Sequence, residues 1–301
     1  MGANTKIEWA THTANAWIGC TKVSPACDYC YAERGSKRMG VEWGDQAERR
    51  MTSWLSLAPS VRQWDRAARA ASERHRVFWN SYSDFLEKRP ELIDRRMLAC
   101  ALMQDTPYLD HLILTKRPEN ALDLLPPLWQ DGSIWPKNVW LGTTAENQEQ
   151  ADKRVPLLLQ TPAAVRFISA EPLLGPIDLT PFIPIPDGPA HIKRVFPPSL
   201  DWVIVGGESG PGARPMHPDW ARSLRDQCQA AGVPFFFKQW GEWASDQMLE
   251  SGRGDTSRSR QVAGDGLCDS VWMTRFGKKA AGRLLDGRTW DEFPKVPRDE
   301  R

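Results

Sequence analysis

The sequence has no long hydrophobic run and lacks the motifs of several common enzyme classes. No apolar stretch approaches the ~20 residues that a membrane-spanning helix needs. There is no H-E-x-x-H metal motif, no G-x-S-x-G nucleophile elbow and no Walker loop. No targeting segment precedes the first motif, so we expect a cytoplasmic protein without membrane contact. These absences argue against an integral membrane protein, a zinc peptidase, an α/β-hydrolase and a P-loop enzyme.

The sequence also has no excess of either sign of charge and few tyrosines. Lys and Arg number 39 against 38 Asp and Glu, so the net charge of +1 gives no general support for nucleic-acid binding. There are four tyrosines but 15 tryptophans. We expect Trp17, Trp79 and Trp140 to pack in the core. For Trp240 and Trp243, packing and stacking against a flat ligand ring both stay open.

Cysteines are few, but three of the six lie together near the N-terminus. Cys20, Cys27 and Cys30 have the spacing C-x6-C-x2-C. Three thiolates on one loop can hold three irons of a 4Fe–4S cluster and leave the fourth iron without a protein ligand. An iron with an open position can bind a small molecule and act on it. The motif therefore predicts a catalytic cluster more than a plain electron-transfer centre.

A zinc site is the alternative for these cysteines. Structural zinc needs four ligands, usually from two C-x2-C or H-x3-H knuckles, and only one knuckle is present. His12 is a possible fourth ligand, although its spacing does not recommend it. The other cysteines, Cys100, Cys228 and Cys268, are isolated. A disulfide framework does not suit a long chain of low cysteine density.

The residues around the cysteines resemble a known superfamily. Residues 27–31, Cys-Asp-Tyr-Cys-Tyr, are similar to the C-x-aromatic-C segment of radical S-adenosylmethionine (SAM) enzymes. The usual spacing there is C-x3-C-x2-C, so the six-residue first gap departs from it. More closely, most of the chain resembles an uncharacterised phage-associated group with a three-cysteine motif and a character like that of spore photoproduct lyase. The matching segments are the cysteine loop and residues 5–13, 114–118, 169–173, 206–210 and 237–241.

This resemblance implies a radical SAM enzyme. Cys20, Cys27 and Cys30 would hold a 4Fe–4S cluster whose open iron binds SAM, and one electron would then yield a 5′-deoxyadenosyl radical. A flavodoxin or ferredoxin type of protein would donate the electron. The phage association suggests modification or repair of a nucleic acid base, which a duplex would have to flip out. The alternative is a zinc-stabilised, non-catalytic accessory protein that binds nucleic acid.

Short apolar runs alternate with helical stretches along the chain. This pattern predicts an α/β fold with a parallel sheet and right-handed crossovers, either a partial or complete TIM-type barrel or a doubly wound sheet. We assign residues 1–240 to the barrel. Residues 241–301 are a C-terminal extension that packs on it and contains a mobile loop at 250–266. The predicted strands are 16–18, 77–80, 111–115, 139–142, 165–169, 202–206 and 234–237, and the helices 60–73, 90–104, 147–160 and 218–231.

Polar residues gather directly after each predicted strand. In a parallel barrel the carboxyl ends of all strands open on one face, so these residues predict a shared cofactor site beside the cysteine loop. The candidates are Asn80, Ser81, Ser83, Asp84, Lys116, Arg117, Thr144, Glu146, Ser169, Glu171, Gly206, Gly207, Glu208 and Lys238.

Roles for some candidates follow from the chemistry of SAM. Lys116 or Arg117 suits its carboxylate, and Asp84 or Glu171 suits its ammonium or ribose. By its order in the chain, segment 80–84 matches the amino-group-binding segment of radical SAM enzymes, without the usual Gly-Gly-Glu. The glycines of 206–212 allow a backbone to approach a ligand, or form a wide turn.

An arginine-rich stretch between Arg49 and Arg76 offers a surface for nucleic acid. It is either a solvated helix face or a phosphate-contacting surface. Arg62, Arg66 and Arg69 are spaced by four and three residues, so they share one face of a helix. We expect them at the outer rim of the strand carboxyl ends.

Overall fold

A curled sheet of eight strands dominates the computed structural model, which describes residues 2–184, 198–245, 258–264 and 269–295. The strand order is β1-β2-β5-β6-β7-β8-β9-β10; β1 is antiparallel to β2, and every other neighbouring pair is parallel. The bounds are β1 Gly2–Ala3, β2 His12–Ala14, β3 Trp17–Ile18, β4 Arg50–Met51, β5 His75–Trp79, β6 Leu109–Thr115, β7 Val139–Thr144, β8 Val165–Ala170, β9 Trp202–Gly206 and β10 Phe235–Gln239. Strands β3 and β4 form a separate pair.

The parallel strands follow one another in chain order, each added at the same edge of the sheet. Right-handed crossovers then place the connecting helices on one face, so the arrangement is a half-barrel and the doubly wound alternative is wrong. The helices are α1 Tyr31–Lys37, α2 Trp54–Ala71, α3 Ile93–Gln104, α4 Ala121–Leu124, α5 Pro127–Gln130, α6 Gln148–Leu159, α7 Pro218–Ala231 and α8 Lys278–Ala281.

Alternation along the strands builds two hydrophobic clusters, one on each face. In β5, Val77 and Trp79 belong to the larger cluster under the helices, whereas Phe78 belongs to the smaller one on the opposite face. Trp9 packs on that opposite face, and Phe293 covers it from the C-terminal side. Both faces are buried, which is why the strands are almost continuously apolar.

The predicted strands and helices are confirmed except at the start of the sheet. The first parallel strand is β2, not the apolar run at 16–18, which forms β3 and pairs with β4. His12 and Thr13 give β2 a polar appearance, but its backbone pairs with Val77 and Phe78 of β5. Periodicity alone does not detect a three-residue strand of this composition.

The C-terminal extension packs back on the sheet. It forms a small antiparallel sheet in the order β11-β13-β12, with bounds β11 Trp243–Ser245, β12 Ser259–Val262 and β13 Val271–Arg275. Farther along, the carbonyl of Trp290 accepts from the N–H of Phe237, and that of Glu292 from the indole of Trp202. Most of the predicted loop at 250–266, like Cys268, lies outside the described residues, but β12 lies within that loop.

The arginine-rich stretch does not form one surface. Arg49 is buried in a bidentate pair with Glu87, and Arg76 stacks on Phe293. Arg62 lies 3.9 Å from Asp105, and Arg69 lies over the ring of Tyr108. Asp105 and Tyr108 lie in the chain just before β6, which begins at Leu109, so these contacts are at the amino ends of the strands. The predicted position of the α2 arginines at the rim of the carboxyl ends is therefore wrong.

None of the helices in the described ranges is both long enough and apolar enough to span a membrane.

His111 makes stability depend on pH. Its ring is fully buried, Nδ1 accepts from Trp79 Nε1 at 2.9 Å, and Nε2 lies 2.9 Å from Thr106 Oγ1. Burial lowers the pKa of His111 from 6.5 to about 3. Between these two pKa values the unfolded chain takes up a proton that the folded chain does not, and stability falls as pH drops below about 6.5.

His111→Gln removes this titrating group. We expect the substitution to lower the slope of unfolding free energy against pH by ~1.4 kcal/mol per pH unit in that window. Denaturant titrations at several pH values over about two pH units, from pH ~4.5 to ~6.5, measure the unfolding free energy of both proteins. Equal slopes for the unchanged protein and His111→Gln would contradict the prediction.

Candidate functional site

A pocket of about 460 Å³ lies where the parallel strands end. Its volume is within the ~300–1,000 Å³ of ordinary small-molecule sites. Fifteen of the residues predicted from the sequence line it: Cys20, Cys27, Cys30, Asn80, Ser81, Ser83, Asp84, Lys116, Arg117, Thr144, Ser169, Glu171, Gly207, Glu208 and Lys238. Glu146 and Gly206 are the two predicted residues that do not line it.

The pleat of the strands explains this convergence. Trp140 belongs to the cluster on the inner face of the sheet, and Thr144, four residues farther along β7 on the same face, lines the pocket. Phe167 and Ser169 stand in the same relation on β8. On the inner face of these strands, the residues in the middle of the strand are apolar and those at its carboxyl end are polar. On β10 the register shifts between Phe237 and Gln239, and Lys238 and Gln239 both line the pocket.

The cysteine loop forms one wall of the pocket. Cys20 and Cys27 are buried, Cys30 is half-buried, and all three line the cavity. Burial and the carboxylate of Asp84 raise the pKa of Cys20 to about 12, and Arg117 opposes the shift. In the absence of a bound metal the Cys20 thiol is therefore protonated at neutral pH.

Buried charges hold the loop from below. Arg117 donates from Nη2 to the carbonyl of Thr21 at 2.8 Å, and its Nη1 lies 3.7 Å from the sulfur of Cys20. The carboxylate of Glu146 accepts from the backbone N–H of Ala26 at 3.1 Å and pairs with Arg154 at 2.9 Å. Glu146 therefore supports the cysteine loop rather than a ligand, which corrects its predicted role.

Two further arginines tie the loop to the segment that follows β9. Arg214 forms a bidentate pair with Glu208 at 2.7 and 2.8 Å and also donates to the carbonyl of Pro25. Arg34, on α1, donates to the carbonyls of Ser209 and Pro211. Glu208 faces the pocket, but its charge is already matched by Arg214.

Asp84 is the centre of the hydrogen-bond network under the pocket. Its two oxygens accept from Thr115 Oγ1 at 2.6 Å, from the backbone N–H groups of Lys116 and Leu86, and from Arg117 Nη1 at 3.0 Å. Burial acts to raise the pKa of this carboxyl, but Arg117 and these hydrogen bonds hold it below its usual value. Asp84 and Arg117 satisfy each other, which argues against their predicted roles as binders of the ammonium and carboxylate.

Glu171 is held on the opposite wall. It pairs with Lys238 and accepts from the indole of Trp9 at 3.2 Å. A side chain at Gly206 would lie 3.1 Å from the Glu171 carboxylate, so this glycine makes room for Glu171 and not for a ligand. That is the physical reason why Gly206 does not line the pocket.

Lys116 and Asn80 keep binding capacity for a ligand. The ammonium of Lys116 contacts Thr144 Oγ1 at 3.3 Å, and no carboxylate of the described residues lies within 4 Å of it. Asn80 is 2% exposed, and its oxygen accepts from the N–H of Ala16, but its Nδ2 has no partner. A buried donor without a partner is costly. Asn80 lines the pocket, and its Nδ2 itself is shielded from solvent.

The glycine-rich segment after β9 serves close packing within the protein. A Cβ at Gly207 would lie 1.9 Å from the carbonyl oxygen of Trp240, and one at Gly212 would lie 2.6 Å from the ring of Tyr29. The glycines therefore let the cysteine loop and the end of β10 pack against this segment. The sequence had predicted that these glycines let the backbone approach a ligand. Of glycines 206, 207, 210 and 212, Gly207 alone lines the pocket.

Several pocket residues were not predicted. Trp9 and Glu8 come from the N-terminal segment, and Lys278 from α8 pairs with Glu8 at 3.1 Å. One feature of the sequence could have indicated Glu8 and Trp9: residues 5–13 are among the segments that resemble the three-cysteine-motif group. Trp240 and Trp243 are buried and do not line the pocket, so packing explains them.

His217 and His12 lie away from the cysteines. His217 accepts from the N–H of Asp219 at the start of α7. His12 stacks on Trp64 and contacts His75 near the amino ends of the strands. Neither lines the pocket, so neither His12 nor His217 completes a zinc site with the cysteine loop.

The lining of the pocket contains the kinds of donor that the predicted cluster and its ligand need. In the part of the chain that the structure describes, three thiols line one cavity, together with Asn80, whose Nδ2 has no partner, and Lys116, whose ammonium contacts only Thr144. Among the described residues, no group of three or more His, Cys, Asp or Glu side chains is arranged so that it could hold a metal ion.

Comparison with known protein families identifies the family of this chain. The family model described as "Protein of unknown function (DUF5131)" matches residues 4–294. No curated protein and no solved structure matches the chain.

Proposed function

The chain belongs to the DUF5131 family, and from its pocket we propose that it is a radical SAM enzyme. The observation that carries the proposal is that the three cysteines of the C-x6-C-x2-C loop line the same pocket as the polar residues at the strand ends. We interpret the half-barrel as a partial TIM-type barrel, whose active sites lie at this end.

Each part of the pocket has a role in the proposal. Cys20, Cys27 and Cys30 would hold the 4Fe–4S cluster by their thiolates. Lys116 and the amide of Asn80 are the groups available to the carboxylate of SAM. Glu171, although paired with Lys238, has the charge to bind the ammonium or the ribose. When bound, the cluster and SAM supply a 5′-deoxyadenosyl radical.

The enclosure of the pocket supports the same reading. Trp9 and Asp84 line the pocket and are themselves buried. Arg117, Glu146 and Arg214 fix the cysteine loop by contacts to its backbone. A cysteine loop held in place by these contacts suits a site that must position a reactive intermediate.

We further propose that the substrate is a nucleic acid base and that a flavodoxin or ferredoxin type of protein supplies the electron. A base of a duplex would reach the pocket by flipping. A reducing, cytoplasmic compartment suits an oxygen-sensitive cluster. Substrate and electron donor rest on the resemblance of the sequence more than on the pocket.

The test is cleavage of SAM by anaerobically reconstituted protein. With dithionite and SAM, we expect slow release of 5′-deoxyadenosine even without substrate. Chromatography measures the product, and protein in which Cys30 is alanine serves as the control. Intact SAM after long incubation with a full, reducible cluster would contradict the proposal. Zinc in place of iron after anaerobic reconstitution would favour the accessory-protein alternative.

A further inference from the structure

The described part of the C-terminal extension is more basic than the chain as a whole. Its described residues, 241–245, 258–264 and 269–295, contain eight Lys and Arg residues and five Asp and Glu residues, in a protein of net charge +1. Six of the eight basic residues, but of the acidic residues only Asp269, lie in segments 258–264 and 269–283. These six basic residues are Arg258, Arg260, Arg275, Lys278, Lys279 and Arg283. Such a local excess of one sign is the electrostatic footprint of an anion-binding surface.

The small sheet and α8 arrange four of these residues along one path. Arg260 pairs in register with Met273, so it lies on the same face of the sheet as Arg275, two residues farther along β13. Both guanidinium groups lie over the ring of Trp243, at 5.3 and 6.0 Å from its centroid. Lys278 and Lys279 begin α8, three residues after Arg275. We call Arg260, Arg275, Lys278 and Lys279 the basic strip.

The basic strip reaches the rim of the pocket. Lys278 lines the pocket directly. Arg275 donates to the carbonyl of Gly210 at 2.8 Å, and Gly207, Glu208 and Ser209, just before it, line the pocket. A polymer that lies on the strip would therefore have one of its units beside the pocket mouth.

Two members of the strip keep an uncompensated charge. Arg275 lies 3.6 Å from Glu242, and Lys278 pairs with Glu8. Arg260 and Lys279 are exposed, and neither has a carboxylate within 4 Å in the part of the chain that the structure describes. Exposed cations without their own counter-charge are the groups that exchange small counterions for phosphates.

We propose that the basic strip binds the sugar-phosphate backbone of a nucleic acid and so presents one nucleotide to the pocket. This proposal rests on the proposed function, because it names the surface that would hold that enzyme's substrate. Arginine suits phosphate by its planar fork of donors, and lysine by its point charge. The strip takes the role that the sequence had given to Arg62, Arg66 and Arg69.

The test compares two charge reversals of equal size. R260E/K279E changes the strip, and R62E/R66E changes exposed arginines of α2, toward the far ends of the strands. We measure the anisotropy of a labelled single-stranded DNA, a duplex DNA and an RNA with anaerobically reconstituted protein at several salt concentrations. We expect R260E/K279E to weaken binding at least about tenfold and to reduce the slope of log Kd against log salt by about two. R62E/R66E should bind as the unchanged protein does.

Each outcome separates the strip from the enzyme. If both variants bind as tightly as the unchanged protein, or if R62E/R66E weakens binding as much, the strip is not the binding surface. If the unchanged protein binds none of the three nucleic acids, the strip and the nucleic acid substrate both fail. Iron content and release of 5′-deoxyadenosine, measured on the same samples, decide separately whether the protein is a radical SAM enzyme.

Discussion

Alanine at Cys20, Cys27 or Cys30 is expected to remove most of the iron from anaerobically reconstituted protein. Each thiolate anchors one iron of the proposed cluster, and among the described residues no other cysteine lines the pocket to replace it. Iron and sulfide content, together with the broad absorption near about 400 nm that is typical of iron–sulfur proteins, measure the effect. All three single variants should behave alike, because a cluster with two protein ligands is poorly held.

Two other cysteines provide matched controls. Cys100 in α3 and Cys228 in α7 are fully buried in the core under the helices and do not line the pocket. Alanine at either position deletes the same thiol and creates a similar small cavity, but should leave the iron content unchanged. Full iron retention in all three loop variants, or an equal loss in the two controls, would overturn the assignment of the cluster to the loop.

Asp84→Asn is expected to be the most destabilising of the isosteric changes around the pocket. The carboxylate accepts four hydrogen bonds and is the close ion-pair partner of the buried Arg117 at 3.0 Å. The asparagine side chain has one acceptor oxygen where aspartate has two. Its NH2 group would face the groups that donate to Asp84, so donors would meet donors. Removing one partner of a buried pair costs about 3–5 kcal/mol, because the remaining charge loses its close partner. Glu87 lies 3.9 Å from Arg117 but is already paired with Arg49. Denaturant unfolding measures the loss.

Asp123→Asn is the control for this change. Asp123 pairs with Lys88 at 3.1 Å, but both side chains are more than 60% exposed. Exposed pairs contribute between zero and about 1 kcal/mol, so this variant should unfold almost as the unchanged protein does. A loss below about 1 kcal/mol for Asp84→Asn as well would contradict the role given to the network. The same network holds the backbone of Thr21, so Asp84→Asn should also weaken iron retention.

The sequence by itself determined the class of fold and the place of the pocket. Runs such as 139–142 and 202–206 are apolar on both faces of the strand, and each is followed by a helical stretch. Such strands are buried on both sides, and that physical condition favours a parallel sheet. Because parallel strands end on one face, Lys116, Glu171 and Lys238 could be brought together with the cysteine loop from their positions in the chain alone.

Only the tertiary structure decided which of these side chains remain available to a ligand. Charge and burial do not reveal the partner of a residue, and the partner decides its role. Asp84 and Arg117 are far apart in the chain but satisfy each other, whereas Lys116 and Asn80 keep unused donors. Arg214 holds Pro25 across 189 residues, a contact that no local pattern encodes.

The same reason explains the misplaced arginines of α2 and the unpredicted basic strip. Helical spacing correctly placed Arg62, Arg66 and Arg69 on one face, because that periodicity is local. Which end of the sheet they occupy depends on the direction in which α2 returns along the strands. The strip depends on β12 and β13 pairing so that Arg260 and Arg275 share a face. Local periodicity is written in the sequence, whereas the pairing of distant segments arises only when the chain buries its two hydrophobic faces together.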